Sequence, residues 1–442
     1  MNALEVRAAI ALALVYVLRM LGLFMVMPVL AVAAMDYPDY SPMMVGLAIG
    51  GYGLTQAALQ IPMGMMSDRW GRKPVILLGL AVFALGSFIA ASADTMVWMI
   101  VGRILQGAGA IAGAIMALAA DVSRESQRAK VMAIIGIAIG MSFYLAVLVG
   151  PVLAEKFGLA GIFWITGILA IACLPLIQWG IPKVTLLASG DTLPQAGQLK
   201  RLCFSSQLWR LNVSVMFLHM LITLLFVQLP VTLLHFDMSL ESHWMLYAPV
   251  LLASIVGLIV MMGVARGRMP KRLLQTALIL MGAGFSLLAL HDHNQWVVLV
   301  AVVFFFTGFN YLEANFPALV SSIAPAGEKG TAMGIYASFQ FFGAFLGGVI
   351  SGWTVNHWQA ETAYTVGTVA VVIWFVLLLG LREVSRVKRI QLKGLTSKDA
   401  AAQLQALPGV VEVTQNVKAN AIYLKVTGDF DLQQAQIIVA KE

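Results

Sequence analysis

Four ionisable side chains stand inside long apolar stretches of this chain: Arg19, Arg103, His219 and Glu313. Each costs about 2.5–3.5 kcal/mol on membrane-insertion scales, so each is a functional candidate by default. Glu313 lies in a polar island, Asn310-Tyr311-Leu312-Glu313-Ala314-Asn315-Phe316-Pro317, within an aromatic and aliphatic run. Asn310 and Glu313, three apart, share a helix face. A carboxyl that alternates between two environments can load a proton in one and release it in the other. The structural alternative is a glutamate paired with a buried Arg or with backbone. Arg103 has three open roles: pairing, snorkelling, or tuning a proton site. A lone helix histidine such as His219 is often only hydrogen-bonded. Tyr52, Gln56, Gln228, Tyr247, Gln340 and the aromatic run Phe304, Phe305 and Phe306 are able to line a mostly apolar cavity. The 24 Met residues suit variable ligands, and suit core packing as well.

The elements that hold these residues follow from composition. Of 442 residues, 60% are hydrophobic and 11% charged. A soluble protein carries roughly 25% charged residues to wet its surface. The bulk of the chain therefore has lipid as its solvent, and nucleic-acid binding is not the reading of its net charge of +7. A spanning helix needs about 20 apolar residues. Twelve candidate spans result: 8–34, 42–66, 74–92, 96–120, 129–154, 160–180, 208–234, 244–265, 273–290, 296–323, 330–354 and 361–381. The first contains Arg19 and exceeds a signal-peptide core, so it reads as a retained helix. The polar break 181–206 reads as a cytoplasmic linker between two six-helix halves, 1–180 and 207–383.

Alternate connections carry the basic residues: Arg69, Arg72 and Lys73; Arg124, Arg128 and Lys130; Lys200 and Arg201; Arg266, Arg268, Lys271 and Arg272; Lys329. The opposite connections carry Asp36, Asp39, Asp94, Asp237, Glu241, Asp292 and Glu361. The positive-inside rule then places both termini in the cytoplasm, which an even number of spans requires. Glycines four apart, such as Gly46 and Gly50, or Gly343 and Gly347 and Gly348 and Gly352, let helices approach closely in lipid.

From residue 387 onward the pattern changes to strand, helix, strand, strand, helix, the order of most of a ferredoxin-like α+β sandwich. A fourth strand would begin where the sequence given stops. No cysteine follows Cys203, so thiolate metal binding in the loop 393–398 is excluded. Self-association or ligand binding through this domain stays open. Cys173 and Cys203 have no metal-like spacing, and no metal or other cofactor is expected.

One connection is more than a basic loop. It reads Gly64-Met65-Met66-Ser67-Asp68-Arg69-Trp70-Gly71-Arg72-Lys73-Pro74, with an acid and two glycines at fixed spacing among the cations. It resembles the signature of the major facilitator superfamily. Arg103-Ile104-Leu105-Gln106-Gly107-Ala108-Gly109 is similar to a second element of that family. Gly136, Gly140 and Gly150-Pro151 resemble the glycine-rich kinked helix of its drug/proton antiporter branch. The resemblance covers residues 8 to 382. A second copy of the signature, Gly263 to Arg272, has Gly267 where the first has Asp68.

The resemblance implies an all-α polytopic fold of twelve transmembrane helices in the inner membrane, working by alternating access about a midplane site. It implies a conformational switch made of Gly64, Asp68, Arg69, Gly71, Arg72, Lys73 and Asp121. Asp68 would sit near the positive end of the eleventh helix, around Gly330-Thr331, and the cluster would hold the outward-facing state. Gly140, Gly150 and Pro151 would form the antiporter-type kink. Proton coupling or substrate contact would fall to Glu313, His219, Arg19, Arg103, Asn310, Tyr52, Gln56 and Gln340.

No phosphate-binding loop, nucleophile–base pair or metal cluster is visible, which argues against ATP drive and against an enzyme. The expected function is proton-coupled export of a small amphipathic molecule. The rivals are a symporter or uncoupled facilitator, and a membrane sensor reporting through its C-terminal domain. The expected partners are membrane lipid, a small-molecule substrate and protons.

Overall fold

The computed structural model describes residues 1, 3–123, 125–181, 196–266, 271–290, 294–324, 329–381, 388–393, 398–416, 421–426 and 430–440. The helices in chain order are α1 (Ala3–Val26), α2 (Leu30–Ala33), α3 (Pro42–Trp70), α4 (Arg72–Ala91), α5 (Met96–Ala108), α6 (Ala112–Asp121) and α7 (Glu125–Pro175). After these come α8 (Ala196–Phe204), α9 (Ser206–Leu234), α10 (Trp244–Ala265), α11 (Lys271–Ala289), α12 (Gln295–Ile323), α13 (Lys329–His357) and α14 (Ala360–Leu379). Helices dominate because a backbone in lipid must satisfy its own hydrogen bonds.

Ten helical segments among the described residues are long and apolar enough to cross a membrane, not the expected twelve. Two physical reasons account for the difference. The 51 residues of α7 would span ~76 Å at 1.5 Å each, far more than the ~30 Å of a bilayer core. It breaks at Gly158, whose φ of +67° is outside the helical region, and so accounts for two crossings. The 29 residues of α3 are long enough, but its glycines, Thr55, Gln56 and Gln60 leave it short of the apolarity of the rest. The bundle therefore has ten to twelve membrane-capable helices.

The ferredoxin-like domain is a second correction. The described tail holds β1 (Lys388–Lys393), α15 (Lys398–Ala406), β2 (Val410–Asn416), β3 (Ala421–Val426) and α16 (Leu432–Ala440). Its antiparallel sheet has three strands in the order β1-β3-β2. A ferredoxin-like sandwich needs a fourth strand, and none occurs among the described residues. The buried core here is small: Leu392, Leu404, Ile422, Leu424, Val426 and Ala435. The tail is a minor appendage on a helical membrane fold. Most of the 393–398 loop lies outside the described residues, as do residues 182–195 of the linker. The linker's remainder is partly ordered as α8.

Helix α13 is held on two sides. Gly343 and Gly347 abut the carbonyl oxygens of Met216 and Met220 on α9. Gly348 and Gly352 abut α3 at Gly46 and Pro42. The α3–α13 seam is antiparallel and tapers. A side chain at Gly46 would fall closer than 3.0 Å to the Gly348 carbonyl oxygen, and one at Gly53 2.6 Å from that of Phe341. At Gly334 the nearest atom is 3.9 Å away, on Ile61, and Gly64 meets nothing within 4 Å. The two helices touch at the Pro42 end and part toward the Asp68 end.

Candidate functional site

The Asp68 cluster starts from one backbone requirement. Gly71 has φ +95° and ψ 153°, a conformation open to glycine, and it ends α3 and starts α4 in a single residue. Arg72 is thereby the first residue of α4 and folds back on the last turn of α3. Its guanidinium bonds Asp68, donates to Ser67 Oγ at 2.9 Å, and donates from Nε to Asp121 Oδ2 at 3.1 Å. The side chains are 28% exposed at Asp68 and 7% at Asp121, so the deeper carboxylate is the one at the end of α6. Lys73 Nζ donates to the Ile181 carbonyl at 2.6 Å, tying the start of α4 to the end of the sixth span. Arg69 is exposed.

Gly64 lies at the level where α3 has left α13. Asp68 is engaged within its own half of the chain. In the second signature copy, residues 267–270 lie outside the described residues. Its Lys271 nevertheless donates to the Leu379 carbonyl, as Lys73 does to Ile181.

A second cluster forms where α9, α12 and α13 meet. His219 Nε2 is 3.8 Å from Glu313 Oε2 and 2.7 Å from Gln340 Nε2. Nδ1 lies 3.3 Å from the Val215 carbonyl, so it carries the hydrogen of the neutral ring. Nε2 then accepts from the Gln340 amide. The Glu313 side chain is 37% exposed, while its Oε2 is buried with no hydrogen-bond partner. Asn310 turns away and donates to Ser254 Oγ at 3.1 Å. The structure thus joins Glu313, His219 and Gln340 and leaves Asn310 out.

A third cluster lies in the first half. Arg19 is 1% exposed, and its Nη2 faces Tyr52 Oη at 3.3 Å, Gln56 Oε1 at 3.3 Å and the Gly109 carbonyl at 3.1 Å. Arg103, also 1% exposed, donates to the Ala48 carbonyl at 3.0 Å and to Gln106 Oε1 at 2.8 Å, and lies over the Tyr52 ring at 5.0 Å. Gln106 in turn donates to Ser87 Oγ at 2.7 Å. Sequence reasoning missed Ser87 and the partnership of Gln106, although Gln106 is part of the second family element.

The other candidates are more ordinary. Gly150 packs against the Met25 carbonyl, Pro151 continues the helix, and Gly140 meets nothing within 4 Å. Gln228 is buried and donates to Ser351 Oγ; Tyr247, Phe305 and Phe306 are packed core. No group of three metal-ligating side chains occurs among the described residues.

The family model for the Major Facilitator Superfamily matches residues 12–269 and 211–420. The chain belongs to that superfamily. It is 37% identical over 444 residues to the inner membrane transport protein YajR of Escherichia coli K12, covering 98% of this chain and 97% of that protein. A bacterial homologue of the human lysosomal transporter Spinster superposes with a TM-score of 0.70 at 14% identity, over 86% of this chain and 97% of its own. A D-xylose–proton symporter gives 0.68 at 16% identity, over 85% and 98%. These two are likenesses of fold. The chain is a multi-pass membrane transporter that works by alternating access, and not an enzyme.

Proposed function

We propose that this transporter is a proton-coupled antiporter of the inner membrane that exports a small amphipathic molecule. The observation that carries the reading is the meeting of Glu313, His219 and Gln340. It puts a carboxylate with a buried oxygen that has no hydrogen-bond partner beside an imidazole whose second nitrogen, held by the Gln340 amide, carries the lone pair that takes a proton. A proton arriving at Nε2 makes a cation facing Glu313, and turning the Gln340 amide offers its oxygen to the new N–H. All three residues sit on helices of the second half. Rocking of the halves therefore changes the side of the membrane that Glu313 faces, and leaves the pair intact. The source of free energy is adequate, since each charge moved across 100 mV is worth about 2.3 kcal/mol.

The alternate basic connections support an orientation with the Asp68 end and both termini in the cytoplasm. With that orientation the α3–α13 seam is closed on the outside, and the described conformation is inward-facing. The Asp68–Arg72–Asp121 cluster is then poised within its half, and Asp68 would reach the start of α13 only in the outward-facing state.

The test uses the full chain in proteoliposomes with a transported compound found by thermal-shift screening. Glu313→Gln should still exchange that compound across the membrane without a gradient, and should lose accumulation driven by a pH gradient. Gradient-driven accumulation at the wild-type level would remove Glu313 from the coupling step.

A further inference from the structure

We propose that Arg19 is the receptor for an oxyanion, a carboxylate or sulfonate group, carried by the transported molecule. A guanidinium has five N–H hydrogens and stays charged in proteins. The three acceptors that Arg19 meets, Tyr52 Oη, Gln56 Oε1 and the Gly109 carbonyl, all face Nη2. Nε and Nη1 are buried with no hydrogen-bond partner. Beside them Gln56 Nε2 is a further buried donor without a partner. Every contact is neutral, and no carboxylate pairs with Arg19 among the described residues.

Leaving two of its nitrogens without acceptors is an uncommon way to keep a cation in a membrane bundle. Intramembrane cations pair with acids or carbonyls, because an uncompensated buried charge is strongly unfavourable. Arg103, which shares Tyr52 with Arg19, has its Nε and Nη1 both satisfied by neutral protein acceptors, whereas the same two nitrogens of Arg19 are not. The Phe83 ring, 5.4 Å from the Arg19 guanidinium, offers only a weak cation–π contact. An anionic group would supply the missing charge and acceptors together. The apolar Phe83 ring suits a ligand whose remainder is hydrophobic.

The site is closed in this conformation. Tyr52 covers Arg19, and the edge of Phe341 from α13 meets the Tyr52 ring at 6.5 Å. Parting of α3 and α13 removes Phe341 and opens the way to Arg19. For an exported molecule that parting runs from the Asp68 end, where the seam is already loose, up to Phe341, and the anion binds once Phe341 has left Tyr52, at an apparent affinity reduced by the population of that state.

The inference rests on the transport reading, but binding at equilibrium uses no gradient. A failure here leaves proton coupling untouched, and a failure of gradient-driven transport leaves this binding result standing. The experiment measures thermal stabilisation of the detergent-purified full chain by benzoate, benzenesulfonate, their neutral counterpart benzamide, and inorganic phosphate. Benzoate or benzenesulfonate should stabilise the wild type in a saturable way, with benzamide much weaker. Arg19→Gln should bind the effective anion roughly 10- to 100-fold more weakly. Arg19→Lys, which keeps the charge without the planar fork, should recover part of the binding. Equal stabilisation by benzamide and benzoate, or an undiminished effect in Arg19→Gln, would overturn the proposal. So would the absence of stabilisation by either organic anion. An effect of phosphate equal to that of benzoate would overturn the assignment to an amphipathic molecule. If Arg19→Gln does not fold, the comparison of charged with neutral ligands on the wild type still decides.

Discussion

The imidazole of His219 and the carboxylate of Glu313 stand 3.8 Å apart, on α9 and α12, with the Gln340 amide 2.7 Å from the same imidazole nitrogen. His219→Gln keeps a hydrogen-bonding side chain near Gln340 and removes the imidazole. The variant should retain transport but show a pH–rate profile with one limb missing, measured as initial rates in proteoliposomes. A profile identical to the wild type would mean that His219 only packs.

Gly46 and Gly348 bring the backbones of the two halves into close approach. Gly46→Ala would push a methyl into the Gly348 carbonyl, an overpacking that costs about 1–3 kcal/mol. The cost falls on the conformation with a closed seam, so the balance should move roughly 5- to 150-fold toward the state in which α3 and α13 are apart. Labelling of a cysteine at Met43, which lies against Gly352 on the same seam, reports the shift. Unchanged labelling would show that the seam absorbs the methyl.

Asp68 and Asp121 share Arg72 but differ in depth, at 28% and 7% side-chain exposure. Asp121→Asn should lower the melting temperature, by about 1–3 kcal/mol of stability, because the more deeply buried partner of the guanidinium is lost. Asp68→Asn should cost less stability and act on conformation, altering cysteine accessibility at the Asp68 end. The opposite ranking in a melting experiment would make Asp68 the folding anchor.

Lys73 and Lys271 each tie a helix start to the carbonyl end of a later helix in the same half. Such cations satisfy end carbonyls and complement the helix dipole, worth about 0.3–1 kcal/mol each near the surface. Lys73→Ala and Lys271→Ala should each destabilise by about that amount, and the double variant by the sum, since the two carbonyls they bond lie in different halves. A large excess over the sum would reveal coupling between the halves.

The core of the tail, from Leu392 to Ala435, is separate from the clusters that fill the membrane bundle. Removing residues 388–442 should leave a membrane-inserted protein with unchanged detergent stability. Aggregation of the truncated chain would show that the tail supports the bundle.

The spans, the family and the Asp68 loop were legible in the sequence because their signals are local. About 20 apolar residues make a membrane helix wherever they fall, and Gly71 between Asp68 and Arg72 encodes its own turn. The twelve spans read from the sequence become ten apolar helical segments because α7 joins two crossings across Glu155, Lys156 and Gly158, and α3 is diluted by the glycines it needs against α13. The ferredoxin-like assignment of the tail was an extrapolation from the order strand, helix, strand, strand, helix, and that order does not by itself complete a four-stranded sandwich. What only the tertiary structure decided is which side chains meet. In lipid both faces of a helix are apolar, so periodicity does not say which face turns inward. Glu313 therefore gave no sign in the sequence that its neighbour would be His219 rather than Asn310. Arg19 likewise gave no sign that its neighbours would be Tyr52, Gln56 and a carbonyl, with no acid among them. Those pairings come from helices distant in sequence, and only their packing brings the groups within hydrogen-bonding distance.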